Sequence, residues 1–290
     1  MIGLKIVDAL AGQHWLDRAS QVVQQGVQQL IKAGGPAAQR IEDTLHGTGL
    51  GHPLHPALTD VPIGAWTAAL VLDVLDALGG DDSFAPGADA AIDVGLVAAV
   101  GTALTGLIDW QELDARPLRI GMVHGALNLS ATVLYAAARV LRRRGARAAG
   151  RSLAMAGYAV LLAGAYLGGD LVYRDRIGVS HAEPVWTPMQ FAPVLPEAEL
   201  PEGALRRVTV GERQIVLARQ NWQIYALAEH CTHLGGPLSE GTLEDGSIRC
   251  PWHGSRFALA DGRPLAGPAA LPQPCFETRV RDGQIEVRAA

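Results

Sequence analysis

Four apolar stretches, roughly residues 57–78, 90–108, 120–141 and 153–173, each come close to the ~20 residues that cross a hydrocarbon core at about 1.5 Å per residue. They predict four transmembrane helices. The stretches are rich in Ala and Gly and not in Leu, so a soluble Ala-rich bundle is the competing architecture. Composition favours the membrane: 49% of the 290 residues are hydrophobic and 18% charged, and the apolar excess lies before about residue 175. Gly121 with Gly125, and Gly164 with Gly168, have the GxxxG spacing that lets membrane helices approach closely.

Ahead of these stretches, Trp15, Ala19, Val22, Val23, Val27, Leu30 and Ile31 recur at helical spacing, with Gln24, Gln25, Gln28 and Gln29 on the other face. This predicts one amphipathic helix that either lies on a membrane surface or packs on the next domain, the second being favoured. Asp8 interrupts the apolar run of the N-terminus, so no cleavable leader is expected. A net charge of −5, with Arg clustered in one short loop expected to interrupt the helices, leaves no basic face for nucleic acid. Three Cys residues cannot form an even disulfide framework, and Cys275 is expected to be a buried thiol.

After Tyr173 the texture changes. Pro184, Pro188, Pro193, Pro196 and Pro201 suggest an extended linker, and β-rich runs follow at 205–210, 214–218, 223–227, 276–281 and 285–288, separated by turn signals at Gly211, Asn221 and Asp282-Gly283. The expected fold class is therefore α + β and multidomain. An amphipathic segment (1–45) precedes a four-helix transmembrane bundle (46–182), a linker (183–200) and a small all-β domain (201–290).

Within the β domain stand Cys231-Thr232-His233-Leu234-Gly235-Gly236 and, 19 residues from Cys to Cys, Cys250-Pro251-Trp252-His253-Gly254-Ser255. Two thiolates and two imidazoles suit the two irons of a [2Fe-2S] cluster, although tetrahedral zinc accepts the same four groups. The glycines favour the cluster, because they let two loops close over it with backbone N–H groups free to donate to sulfur, while Pro237 and Pro251 stiffen those loops.

Residues 200–290 resemble the Rieske family. The resemblance implies that Cys231 and Cys250 ligate an inner iron, and His233 and His253 an outer, solvent-facing one. Gly236 and Trp252 stand where respiratory-complex members carry a disulfide. Ser255 matches a hydroxyl donor to the cluster, and Phe257 replaces a second donor, a Tyr, so a reduction potential below the respiratory type is expected. Only 37 residues follow His253 and none is His, so no mononuclear iron site of a self-contained oxygenase is expected.

In the membrane half, odd-numbered helices start and even-numbered helices end on one face. That parity collects His52, His55 and Asp60, Asp109 and Trp110, His124 and Asn128, and Asp170 and His181. Ionisable groups at membrane depth are costly and usually functional, so haem b with axial imidazoles, or a quinone headgroup, is the candidate ligand; the plain alternative is helix capping and interhelical hydrogen bonding. The His52-Pro53-Leu54-His55-Pro56 segment and the stretch from Tyr166 to Tyr173 look like an uncharacterised bacterial four-helix membrane family, found alone and fused to Rieske domains. Arg142, Arg143, Arg144, Arg147 and Arg151, between the third and fourth helices, favour an extracytoplasmic Rieske domain by the positive-inside rule, although cluster assembly argues the other way.

These features predict a multi-pass membrane protein of the cell membrane that exchanges single electrons with a partner docked at His233 and His253, with haem or quinone as a possible relay. A redox sensor or assembly module, and a ferredoxin-type donor to a separate oxygenase, are the alternatives.

Overall fold

A computed structural model describes residues 2–183 and 188–289. Two compact units divide the chain: Met1–Gly35 with Leu54–Asp175, and Pro36–Pro53 with Arg176–Ala290.

The first unit is helical. It contains α1 (Ile2–Ala11), the first part of α2 (Trp15–His46), α3 (Leu54–Gly79), α4 (Ala85–Trp110), α5 (Ala115–Arg143) and α6 (Arg147–Tyr173). Helices α3 to α6 are each long and apolar enough to cross a membrane. Their shared core is built from Trp66, Ile92, Tyr135 and Leu161 with Ala69, Ala131, Ala138 and Ala154, small residues that let the backbones come close. Trp66 stacks on Tyr135 at 4.1 Å between centroids. Of the two glycine pairs, Gly164 and Gly168 lie against Asn128 and His124 of α5, while Gly121 seats the Trp110 ring and Gly125 is open.

The basic run is not a loop. Only residues 144–146 separate α5 from α6, and the guanidinium groups turn onto carboxylates of the α3–α4 hairpin. Arg142 pairs with Asp73 and with Asp89 (3.1 Å), Arg147 with Asp89 (3.3 Å), and Arg151 with Asp76 (3.0 Å) and Asp82 (2.7 Å). The long Arg stems reach these carboxylates while remaining in regular helix, which explains why the run extends the helices that it was expected to interrupt.

Two N-terminal expectations change. In place of one amphipathic helix there are two, and the second breaks at Gly35, whose φ of 58° with ψ of −147° only glycine adopts readily, just before Pro36. The apolar face of α2 also does not pack: Trp15, Val22 and Leu30 are exposed, and Leu16 and Ser20 are buried instead. The Gln24 amide turns the polar side of α2 inward, donating to the carbonyls of Gln111 (3.1 Å) and Leu113 (2.8 Å) just beyond the end of α4. An outward apolar face is the arrangement of a helix lying on a membrane surface.

Among the described residues the second unit is β apart from the end of α2 and three short 3-10 turns (Thr48–Leu50, Glu197–Glu199 and Leu238–Glu240). One antiparallel sheet of six strands has the order β1-β10-β9-β4-β3-β2, with β1 (Ala192–Pro196), β2 (Leu205–Val210), β3 (Arg213–Gln220), β4 (Gln223–Ala228), β9 (Cys275–Arg281) and β10 (Gln284–Ala289). A second sheet stacks β5 (Thr242–Glu244), β6 (Ser247–Arg249), β7 (Arg256–Ala258) and β8 (Pro264–Ala266). Part of the expected linker is strand: Pro193 and Pro196 lie in β1, an edge strand, where a missing N–H costs no ladder bond. Pro184 lies outside the described residues. Residues 36–53, divided in the sequence reading between the amphipathic segment and the bundle, belong to this unit. Asp43 accepts the Gly267 N–H (2.8 Å) and the Thr48 hydroxyl donates to the Gly267 carbonyl (2.9 Å).

Candidate metal centre

The two Cys-His loops are built alike. In the first, the Cys231 N–H donates to the Gly236 carbonyl (2.9 Å) and the Gly235 N–H to the Cys231 carbonyl (2.8 Å); in the second, Cys250 and Gly254 make the same bonds to Ser255 and Cys250 at 2.8 and 3.2 Å. Closing each loop needs a left-handed residue, supplied by Gly235 (φ 79°) and Gly254 (φ 72°). The closure turns backbone N–H groups onto sulfur: those of His233 and Leu234 onto Cys231, and those of Trp252 and His253 onto Cys250.

The side chains meet as two pairs. The thiols of Cys231 and Cys250 are within hydrogen-bonding reach of each other, and the imidazoles of His233 and His253 stand 5.0 Å apart between centroids, nearly perpendicular. The shared proton and the Trp252 and His253 N–H groups hold the Cys250 thiol down at about 7, while that same proton and burial push Cys231 up. Burial, reinforced by His253, His46 and His181, holds the His233 imidazole down at about 3, in the neutral form that binds metal. His233 Nδ1 is buried with no hydrogen-bond partner, an orphaned lone-pair site that a metal would satisfy. Among the described residues no three His, Cys, Asp or Glu side chains converge on a single-ion site. Two separated pairs, one of sulfur and one of nitrogen, suit two irons and not one zinc.

Residues remote in sequence hold the loops. Gln273, buried, donates from Nε2 to the carbonyls of Ala228 (2.8 Å) and His230 (2.7 Å) and accepts the Thr232 N–H (3.1 Å), fixing the first loop to β4. Glu229, also buried, takes the Ser239 hydroxyl (2.6 Å) and Arg207 (2.8 Å) at the other end of that loop. The buried Ser255 hydroxyl accepts the Ala269 N–H (3.1 Å), which leaves its own proton free to donate. Phe257 lies fully buried in β7. Cys275 is only half-buried, and burial raises its thiol to about 11.

At Gly236 a Cβ would lie 2.7 Å from the Cys250 sulfur and 3.1 Å from the Trp252 ring. Gly236→Ala is therefore expected to cost about 1–3 kcal/mol by overpacking and to remove most of the bound iron. Iron-to-protein ratios on the purified chain check this, and wild-type iron content would show that the loops can open.

The expected solvent-facing imidazoles are only part-exposed, because His46 and His181 flank His233. His181 donates its N–H to the Thr232 carbonyl (3.0 Å) and so belongs to the second unit. His46, near the C-terminal end of α2, had no motif to mark it; a His just before the Gly47 break was the one available signal. Trp252, 57% exposed, is the outward group beside His253.

Of the polar residues collected by helix parity, the structure brings together His55 and His124, at 6.4 Å between centroids. Asp60 is exposed, and Asp170 pairs with Arg116 (2.6 Å). Asp109 lies in the last turn of α4. His52, exposed, belongs with the second unit.

Fold and site thus define a small all-β iron–sulfur domain on a chain with membrane-type helices. Residues 190–277 match the Rieske [2Fe-2S] domain family, and residues 51–181 match a family described as predicted membrane protein (DUF2231). Ferredoxin CarAc of Metapseudomonas resinovorans is 37% identical over 91 residues, 31% of this chain and 85% of that protein. The ferredoxin component of the naphthalene 1,2-dioxygenase system of Pseudomonas aeruginosa is 40% identical over 89 residues, 31% of this chain and 86% of its own. Apoptosis-inducing factor 3 of Homo sapiens is 30% identical over 117 residues, 40% of this chain but 19% of that protein. Among solved structures, a complex of reduced oxygenase and oxidized ferredoxin in carbazole 1,9a-dioxygenase aligns with 35% of this chain and 94% of the matched one, at 34% identity and a TM-score of 0.33. The chain belongs to the Rieske family, and its Rieske domain gives it a [2Fe-2S] cluster and an electron-transfer role.

Proposed function

We propose that the protein is a membrane-held one-electron carrier in which Cys231 and Cys250 ligate the inner iron of the cluster and His233 and His253 the outer iron. When bound, the cluster takes up and returns one electron at a time. The observation that carries this reading is the matched pair of loops, which presents two thiols, two imidazoles and four sulfur-directed N–H groups. Those N–H groups and the free proton of Ser255 stabilise the extra negative charge of reduction. Phe257 offers none, which supports a potential below that of a respiratory-complex Rieske protein.

With His233 flanked by His46 and His181, the outward approach is the Trp252–His253 edge, and a separate acceptor protein would dock there. The ferredoxin relatives belong to dioxygenase systems, which supports an oxygenase as the acceptor class. Trp252→Ala is expected to slow electron transfer from the reduced full-length protein to the oxygenase component of an aromatic-ring dioxygenase about tenfold, the loss of one exposed aromatic anchor. Its potential and cluster signal should stay unchanged; an unaltered rate in stopped-flow mixing would exclude this edge as the docking site.

The Arg-rich α5–α6 turn supports a cytoplasmic position for that end of the bundle and an extracytoplasmic Rieske domain, since the positive-inside rule counts Arg whether or not Asp partners it. The membrane half extends the carrier with haem or quinone as a relay, a reading supported by the approach of His55 to His124.

A further inference from the structure

The four membrane helices are a helical hairpin present twice. Adding 69 to positions in α3 gives positions in α5: His55 becomes His124, Ala57-Leu58 becomes Ala126-Leu127, Ala68-Ala69 becomes Ala137-Ala138, and Val71-Leu72 becomes Val140-Leu141. Adding 62 to positions in α4 gives α6: Gly95 becomes Gly157, Ala103 becomes Ala165 and Gly106 becomes Gly168.

The contacts repeat with the sequence. His55 Nδ1 meets the Thr102 carbonyl at 3.0 Å, and His124 Nδ1 meets the Gly164 carbonyl, its counterpart, at 2.8 Å. A Cβ at Gly106 would strike the His55 ring at 2.6 Å, and one at Gly168 the His124 ring at 3.0 Å. Gly95 seats Trp66 as Gly157 seats Tyr135.

Equivalent residues also meet across the two hairpins, which places them on a local two-fold axis. They do so three times along the bundle: His55 with His124, Trp66 stacked on Tyr135, and Asp73 paired with Arg142. Stacking and an ion pair account for the last two. The histidines make neither contact, and a symmetric pair on a two-fold axis suits a symmetric ligand.

Each Nδ1 is occupied as a donor to a carbonyl, which fixes the tautomer and leaves Nε2 with its lone pair. The Asn128 amide nitrogen lies 3.2 Å from His124 Nε2 and donates to the His124 carbonyl at 2.9 Å, so a metal at Nε2 would displace the first of these contacts and leave the second. Metal–nitrogen bonds of about 2 Å and a ring half-depth of about 1.1 Å would put the centroids of two imidazoles on opposite sides of one iron about 6.2 Å apart. The observed separation is 6.4 Å, with ring planes at 86°. No third protein ligand converges there among the described residues, so the metal must bring its remaining ligands with it. A porphyrin supplies four nitrogens in one plane and leaves two axial positions, and a Cβ at Gly125, next in the chain to His124, would meet no more distant residue within 4 Å.

We propose that His55 and His124 are the axial ligands of one b-type haem held between the two hairpins. The proposal rests on the electron-carrier reading and names the group through which the membrane half would take part. His52, Asp60, Asp170 and His181 are not ligands in this assignment.

The test is the full-length protein made with 5-aminolevulinate supplied, purified in detergent and incubated with haemin. The expected result is a reduced-minus-oxidised spectrum of b type, one haem per Rieske cluster by pyridine haemochrome, and a highly anisotropic low-spin ferric resonance from the perpendicular imidazoles. His55→Ala and His124→Ala should each lose the haem bands and keep the Rieske resonance, while His52→Ala keeps both. His124→Met should keep the haem with an altered axial-ligand spectrum. A Rieske signal without any haem band overturns this proposal and leaves the electron carrier standing; haem without a Rieske signal does the reverse. Haem bands unchanged in both alanine variants, or a His124→Met spectrum identical to wild type, would also overturn it.

Discussion

His233→Ala is expected to abolish the Rieske paramagnetic resonance of the dithionite-reduced full-length protein and to strip its iron, while the far-ultraviolet circular dichroism of the helices persists. The expectation follows from the orphaned Nδ1: this atom is buried and unpaired, so removing the imidazole deletes a ligand and not a redundant hydrogen bond. His46 and His181 stand beside His233, and either could in principle supply an imidazole. A surviving signal in His233→Ala that disappears in a further His46→Ala or His181→Ala background would move the ligand assignment to that residue.

Arg142→Ala should be the most damaging single change in the helical unit. The Arg142 side chain is fully buried and engages Asp73, itself 5% exposed, and Asp89. Removing it leaves buried carboxylates without their cation, a defect that costs about 3–5 kcal/mol. The change should appear as a lowered unfolding temperature in detergent and a reduced yield of membrane-inserted protein. Arg142→Met combined with Asp73→Leu should recover most of the loss, because an apolar pair of similar volume needs no charge compensation. A loss below about 1 kcal/mol in Arg142→Ala would place the pair in the class of solvent-screened ion pairs and refute its structural role.

How much of this could be read from the chain varies with the range of the forces involved. The four long helices were legible because hydropathy over ~20 residues is a local property. The five longer strands were legible as β-rich runs between turn signals, whereas β5 to β8 have three residues each, too short for such a run to register. Pro193 and Pro196 suggested a linker because proline punctuates most strands; only the edge position of β1, paired on one side by β10, makes them acceptable. The hairpin duplication was present in the sequence as the His-Pro-Ala-Leu and His-Gly-Ala-Leu runs at 55–58 and 124–127. Its unequal offsets, 69 in the first helix and 62 in the second, conceal it from a search at one fixed period.

The chemistry proposed for the cluster loops is local to the chain. Cys, His and Gly fall within six-residue segments, so the turn, the ligand types and the sulfur-directed N–H groups follow from neighbours along the chain. Tertiary structure decided what surrounds them: Gln273 fixing a loop some 40 residues earlier, Asp43 and Thr48 bound to Gly267, and His46 and His181 beside His233. It also decided which of the membrane histidines meet. These are single hydrogen bonds and contacts between segments distant in sequence, and no local period or motif encodes them; they exist only once hydrophobic burial has brought the elements together.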